Sequence, residues 1–176
     1  MPAGRSMAGG APGGRVPTGS GGHVAVRAVS HLAIGVRDMD ESLRFYRDLL
    51  GLTVDADQPE DIARRHGDPL QRRAVYLRWD DGPHASFVVL DQQLTRPREN
   101  DPLRLFDLGV HHFSFWVDDL ADMVERMRAA GVDILVEPAA SDTKAYGEAP
   151  GGKVLTVLLK DPDGNWVQLD QRLEAP

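Results

Sequence analysis

The sequence predicts an α+β protein built from two copies of one unit, a strand, a helix and three further strands. Three observations carry that reading. "AVSHLAIGVRDMDESLRFYRDLLGL" (28–52) returns about eighty residues later as "GVHHFSFWVDDLADMVERMRAAGV" (109–132), a period far longer than that of a solenoid repeat. Each copy passes from an alternating apolar run, through aspartate, into an amphipathic stretch that stops at glycine. Each copy also closes on the same tripeptide, Leu90-Asp91-Gln92 in the first and Leu169-Asp170-Gln171 in the second.

Composition bounds the function classes. The 176 residues, 41% of them hydrophobic, suffice for one substantial core. A net charge of -7 with no basic run or stripe argues against a phosphate-backbone partner, so no nucleic acid is expected. Without cysteine there can be no disulfide, thiolate nucleophile or Cys-ligated metal, so any metal must sit on nitrogen and oxygen. No apolar window reaches the roughly 18 residues of a membrane span and no secretory h-region is visible, so a cytoplasmic protein without a membrane partner is expected. Residues 1–22, dominated by Gly, Pro, Ala and Ser, read as a disordered tail. Residues 23–105 are then the first module with its linker and 106–176 the second.

Taken in order, His31 to Val36 is an alternating strand. Asp38 or Asp40 can cap a helix carrying Leu43, Phe45, Tyr46, Leu49 and Leu50 and stopping at Gly51. "TVDAD", "RRAVYLRWDDG" and "HASFVVLDQ" follow as strands. In the second copy "HHFSFWV" is the strand, and Asp118 or Asp119 caps a helix with Met123, Val124 and Met127 that ends at Gly131. "DILVEP", "KVLTVLLKDPDG" and "NWVQLDQRL" complete the module, and the acidic run Asp161 to Gly164 reads as a type I turn.

Alternation divides the strands into two faces. Leu32, Ile34, Val36, Phe113, Phe115, Val117, Val167 and Leu169 form the apolar set that a helix must cover. His31, His112, Ser114, Trp116, Trp166, Gln168 and Asp170 fall on the opposite face, and His111 on the core parity. Two imidazoles with an oxygen donor make a common site for a borderline divalent metal, whereas a single strand histidine is more often only hydrogen-bonded. His23 and His66 lie in polar loop-like segments and receive no role.

"SHLAIGVRDMDESLRFYRDLLGL", "VHHFSFWVDDL" and "DPDGNWVQL" together resemble the vicinal oxygen chelate superfamily, which includes glyoxalase I, methylmalonyl-CoA epimerase, fosfomycin-resistance enzymes, extradiol dioxygenases and bleomycin-binding proteins. The resemblance runs from about residue 27 to 173. It implies two βαβββ modules forming an open, mixed-sheet barrel with helices on the outer face, a divalent metal, and modules that pair between chains in a homodimer. The ligand places fall on His31, Val89, His112 and Gln168, so the expected metal set is His31, His112 and Gln168. Val89 removes the fourth ligand of a faithful glyoxalase I, and Gln168 replaces the glutamate of the three-ligand members. Asp170 shares the face of Gln168 and is the alternative oxygen donor.

The activity implied most directly is that of a metal-dependent enzyme nearest the extradiol dioxygenases, with Fe(II) before Mn, Zn or Ni and a catechol-like aromatic diol as the small-molecule substrate. In that reading His84 is the acid-base residue, although strict alternation puts it on the core parity. Leu158 stands where extradiol enzymes carry a tyrosine. The second reading is a metal-free binder of the bleomycin-resistance type, with Trp116, Trp166, Phe87 and Asp170 against the ligand. A glyoxalase- or epimerase-like lyase or isomerase is the third. Residues 58–71 and 141–153 are expected as loops at the mouth.

Overall fold

The computed structural model describes residue 26 and residues 28–62, 70–96 and 100–173. The expected tail, His23 and His66 lie outside these. The first module runs β1 (His31–Val36), α1 (Met39–Leu43), a π-helix (Arg44–Leu49), β2 (Thr53–Ile62), β3 (Leu70–Arg78) and β4 (Phe87–Gln93). The second repeats it as β5 (Phe113–Trp116), α2 (Leu120–Ala129), β6 (Ile134–Asp142), a 3₁₀ turn (Thr143–Tyr146), β7 (Lys153–Lys160) and β8 (Trp166–Leu173).

Each module is a four-stranded mixed sheet, ordered β1-β4-β3-β2 and β5-β8-β7-β6. The first strand lies parallel to the last, and the remaining pairs are antiparallel. A parallel pair needs a long crossover, and the helix and intervening strands supply it. The shared Leu-Asp-Gln occupies the same place in both sheets, with Gly35 opposite Asp91 and Trp116 opposite Asp170.

The helix starts are settled by side-chain caps. Asp38 accepts from the Glu41 amide at 2.9 Å and Asp119 from the Asp122 amide at 3.0 Å, which satisfies donors that the first turn leaves open. The first helix widens after one turn into the π form, closed by the Leu50 amide on the Phe45 carbonyl at 3.0 Å. Gly51 and Gly131 end the two helices at φ of 83° and 76°, a conformation that disfavours any side chain.

One core serves both modules. Ile34, Val36, Phe45, Tyr46, Val88 and Leu90 of the first join Leu120, Val124, Met127, Val157, Val167 and Leu169 of the second in a single buried cluster. Burying each such large side chain contributes about 1.5–3 kcal/mol. Of the apolar set, Ile34, Val36, Val167 and Leu169 are buried in this cluster and Phe113, Phe115 and Val117 pack against it, as alternation predicts. Polar contacts lock the junction: the Tyr46 hydroxyl donates to Asp161 Oδ2 at 2.7 Å, Arg126 Nη1 donates to the Leu49 carbonyl at 3.2 Å, and the Arg37 amide donates to Asp163 Oδ1 at 3.0 Å.

The helix-free faces are open, since His31, Ala33, Gly35, His112, Ser114 and Trp116 are all exposed. Two expectations need correction. The segment 58–71 is not a loop throughout, because Gln58 to Ile62 extends β2 and Leu70 and Gln71 begin β3 in continuous antiparallel register. Likewise Ser141 and Asp142 end β6, Lys153 begins β7, and the 3₁₀ turn fills part of the connection. Charged and proline residues in these stretches disguise strands whose cross-strand partners satisfy them. Among the described residues no helix is long and apolar enough to cross a membrane.

Candidate active site

The open face of the first sheet carries one row across three strands, His31 on β1, Phe87 on β4 and Arg78 on β3, each opposite the next in register. The His31 ring stacks on Phe87 with centroids 5.1 Å apart at 20°, and the Arg78 guanidinium carbon lies 4.5 Å from the same ring. His31 Nδ1 is 3.0 Å from Ser30 Oγ, so the interaction engages Nδ1 and spares Nε2. Val89, at the fourth expected ligand place, sits opposite Ala33 and is buried.

Beyond this row the face is charged. Arg72 donates to Asp91 Oδ1 at 2.7 Å and to Glu60 Oε2 at 2.6 Å. Glu60 also accepts from Gln58 at 3.0 Å and from the Tyr76 hydroxyl at 2.9 Å. Those donors, Gln58 first and then Arg72 and Tyr76, hold the Glu60 carboxyl down at about 2.

On the second sheet Asp170 is the centre. It is 2% exposed, and its Oδ1 accepts from the Tyr146 hydroxyl at 2.8 Å, from Thr156 Oγ1 at 2.8 Å and from Gln168 Nε2 at 3.0 Å. Its Oδ2 accepts from Ser114 Oγ and again from Gln168 Nε2 at 3.0 Å. Five contacts occupy the acceptor capacity of one carboxylate, so Asp170 is spent on protein donors. Burial pushes the Tyr146 phenol up, and its bond to Asp170 adds to that.

Gln168 thus commits its amide nitrogen, and not its oxygen, to Asp170. His112 Nδ1 lies 2.9 Å from His111 Nδ1 and spares its Nε2. Because β5 begins only at Phe113, strand alternation does not govern the two histidines, whose ring centroids stand 4.7 Å apart. His111 is therefore paired with His112 and with Phe106, 5.6 Å away, instead of pointing into the core.

The aromatic residues expected at a ligand already have neighbours. Trp116, 55% exposed, has the Arg172 guanidinium carbon 4.7 Å from its ring and the Tyr146 ring 5.6 Å away. Lys160 Nζ lies 5.2 Å over Trp166. His84 falls in the turn before β4, exposed, where no strand parity applies, and lines a cavity of about 270 Å³ with Ser30, Arg78 and Phe87. Tyr146, Thr156 and Arg78 were not singled out from the sequence. Tyr146 sits on an irregular turn, and nothing in a strand pattern tells which cross-strand neighbours a threonine or arginine meets.

With Nδ1 engaged on His31 and His112 and the amide nitrogen engaged on Gln168, the atoms left over are two imidazole Nε2 and one amide oxygen, the donor types that a borderline divalent cation takes. They do not form a group on one sheet, since His31 belongs to the first and the other two to the second. Among the described residues no three His, Asp or Glu side chains stand together as a metal site.

The family profile described as "Glyoxalase/Bleomycin resistance protein/Dioxygenase superfamily" matches residues 28–169. A probable chloroplastic lactoylglutathione lyase of Arabidopsis thaliana is 29% identical over 153 residues, covering 85% of this chain and 37% of that protein. The chain thus spans well under half of that plant relative, and 46% of a putative lactoylglutathione lyase of Brassica oleracea. The lactoylglutathione lyase of Haemophilus influenzae is 25% identical over 140 residues, covering 77% of this chain and 86% of that protein. Among solved structures, a glyoxalase family protein of Bacillus cereus aligns with a TM-score of 0.67 at 16% identity, over 88% of this chain and all (100%) of that one. The trypanothione-dependent glyoxalase I of Leishmania major aligns at 0.54 and 22%, over 82% of this chain and 86% of that one. At these identities the structural likenesses speak for the fold.

Proposed function

Because the chain belongs to the Glyoxalase/Bleomycin resistance protein/Dioxygenase superfamily, we propose that it is a glyoxalase-type lyase acting on a small oxygenated molecule at the helix-free faces of its sheets. The observation that carries this reading is the state of the three candidate donors. Among the described residues, His31 and His112 each engage Nδ1 and leave Nε2 without a partner, while Gln168 engages its nitrogen and leaves its oxygen without one. A side chain already oriented through its other end loses less freedom on gripping a metal or substrate oxygen.

His31, His112 and Gln168 would hold a divalent cation, with Asp170 behind Gln168 as the nearest fixed negative charge. A cation there would supply Lewis-acid polarisation of two neighbouring substrate oxygens. Since the donors lie on different sheets and both faces are open, the reading includes a homodimer in which His31 of one copy meets His112 and Gln168 of another. His84, without a hydrogen-bond partner among the described residues, would be the residue that moves a proton. Several curated relatives are named as lyases, which turns the reading from the extradiol chemistry of the sequence resemblance toward lyase chemistry.

A second reading, a metal-free binder, is favoured by one observation: neither Val89 nor Gln168 offers a carboxylate. Elemental analysis with Fe(II), Mn(II), Zn(II) and Ni(II) titrations, on the wild type and a His31→Ala, His112→Ala double variant, separates the two. Stoichiometric metal that the variant loses, with formation or breakdown of lactoylglutathione, supports the lyase. No metal in either form, under conditions that load a control site, overturns it and leaves the binder.

A further inference from the structure

We infer that the cavity beside Arg78 is a carboxylate-recognition subsite, and that the substrate of the proposed site is a small acid whose carboxylate docks there while its other oxygens face His31. This rests on the reading above for the His31 end only.

The cavity of about 270 Å³ is lined by Ala28, Ser30, Arg78, Gly82, Pro83, His84, Ala85 and Phe87, so its walls are mostly small and apolar with one guanidinium, one imidazole and one hydroxyl. Arg78 is held at two points. Its Nε donates to Asp55 Oδ2 at 2.9 Å, and its plane is supported 4.5 Å from the Phe87 ring centroid. Neither terminal nitrogen has a hydrogen-bond partner among the described residues. A guanidinium fixed through Nε and one face, with two parallel N–H groups unused, is preorganised for a planar carboxylate that accepts both. A lysine could not present that pair.

His84 has no hydrogen-bond partner among the described residues either and adds a second donor at the same wall. The pocket is also continuous with the candidate catalytic face: Ser30, which lines it, is 3.0 Å from His31 Nδ1, and Phe87, which lines it, is the ring on which His31 stacks. Because His31, Phe87 and Arg78 face one another across β1, β4 and β3, two strand spacings separate the histidine from the arginine, about 10 Å. A ligand bridging them is a short chain with a carboxylate at one end, and the cavity volume fits one arm of such a molecule. Asp55 neutralises part of the Arg78 charge, so selectivity should follow the two-point hydrogen bonding more than net charge.

The test is equilibrium binding of succinate, glutarate and adipate against their dimethyl esters, followed by the ring-proton NMR shifts of His84 and His31, on wild type, Arg78→Gln and Arg78→Lys. The expected result is saturable shifts of His84 with the acids and none with the esters, tenfold or greater weakening in Arg78→Gln, and a weakening in Arg78→Lys despite its retained charge. Esters that bind as well as the acids, or Arg78 variants that bind as well as wild type while thermal melts show them folded, would overturn the subsite. Metal content measured on the same samples reports separately on the His31 reading: metal retained with no acid selectivity sinks only the subsite, and selectivity without metal sinks only the metal reading.

Discussion

Gln168 Nε2 donates to both oxygens of Asp170, each at 3.0 Å, so a residue expected to hold a metal is itself held by a buried carboxylate. Among the described residues Asp170 has no cation as a hydrogen-bond partner; Ser114, Tyr146, Thr156 and Gln168 stabilise it through dipoles. Asp91, at the same place in the first module, is instead bonded to Arg72 at 2.7 Å. The duplicated sequence therefore keeps one acid in two electrostatic settings.

Replacing Asp170 by alanine strands several donors at once. Asp170→Ala should cost about 3 kcal/mol, the scale of breaking a buried network by removing one partner, read as a lower urea midpoint with an unchanged slope. Asp170→Asn should fold but release the Gln168 amide, weakening any metal held there by about 10–100-fold. A wild-type metal affinity in Asp170→Asn would detach Asp170 from the site.

The face assignment yields a second prediction. Phe113 packs against the core from β5, whereas the neighbouring His112 is exposed. Phe113→Asp puts a charge under the helices and should unfold or aggregate the chain. His112→Ala should leave the melting temperature within a degree or two of wild type. Equal damage from both would overturn the placing of Phe113 against the core and of His112 on the open side.

What the sequence made legible, and what it did not, follows from which forces act locally. The apolar period placed Ile34, Val36, Val167 and Leu169 on the buried face because the core needs one continuous side of each sheet. The caps narrowed to Asp38 and Asp119 only with coordinates, since adjacent aspartates offer the same chemistry. The π-helix at Arg44–Leu49 left no sequence signal, because packing of Phe45 and Tyr46 against the second module is nonlocal. In the site, His31 and His112 stood out by repeat and parity. Arg78 and Tyr146 did not, because a strand arginine and a loop tyrosine acquire a role only from what lies across from them.

Acid should remove a defined contribution at Glu60. Its carboxyl is held at about 2, below its ordinary 4.5, by Gln58, Arg72 and Tyr76. A depressed folded value means that the stabilisation is complete above the unfolded value and is lost as pH falls through the folded one. The stability difference between wild type and Glu60→Gln should therefore be constant near neutrality, shrink below about pH 4.5 and vanish near about pH 2. Tyr76→Phe should shift that loss to higher pH. Urea unfolding followed across the acid range measures both, and a difference that does not change with pH would mean that Glu60 is not the group responsible.

Asp161 behaves in the opposite sense. Burial, the largest cause, pushes its carboxyl up, while Asn165 and the Tyr46 hydroxyl pull it back. For an acid with a raised folded value, the favourable contribution is present below the unfolded value and is lost as pH rises through the folded one. Where Asp161 is ionised, its burial is thus a cost that Tyr46, fully buried and 2.7 Å away, offsets across the module junction. A hydrogen bond to an ionised group contributes about 1.5–3 kcal/mol and one to a neutral group about 1. Tyr46→Phe should therefore destabilise the chain by about 2 kcal/mol where Asp161 is ionised and by about half that where it is protonated. Paired urea titrations of wild type and Tyr46→Phe at a series of pH values from about pH 4 upward read the passage from the smaller loss to the larger. A loss that stays the same throughout would show that the phenol contributes only through its neutral bond and packing, and that the charge on Asp161 does not couple the two modules.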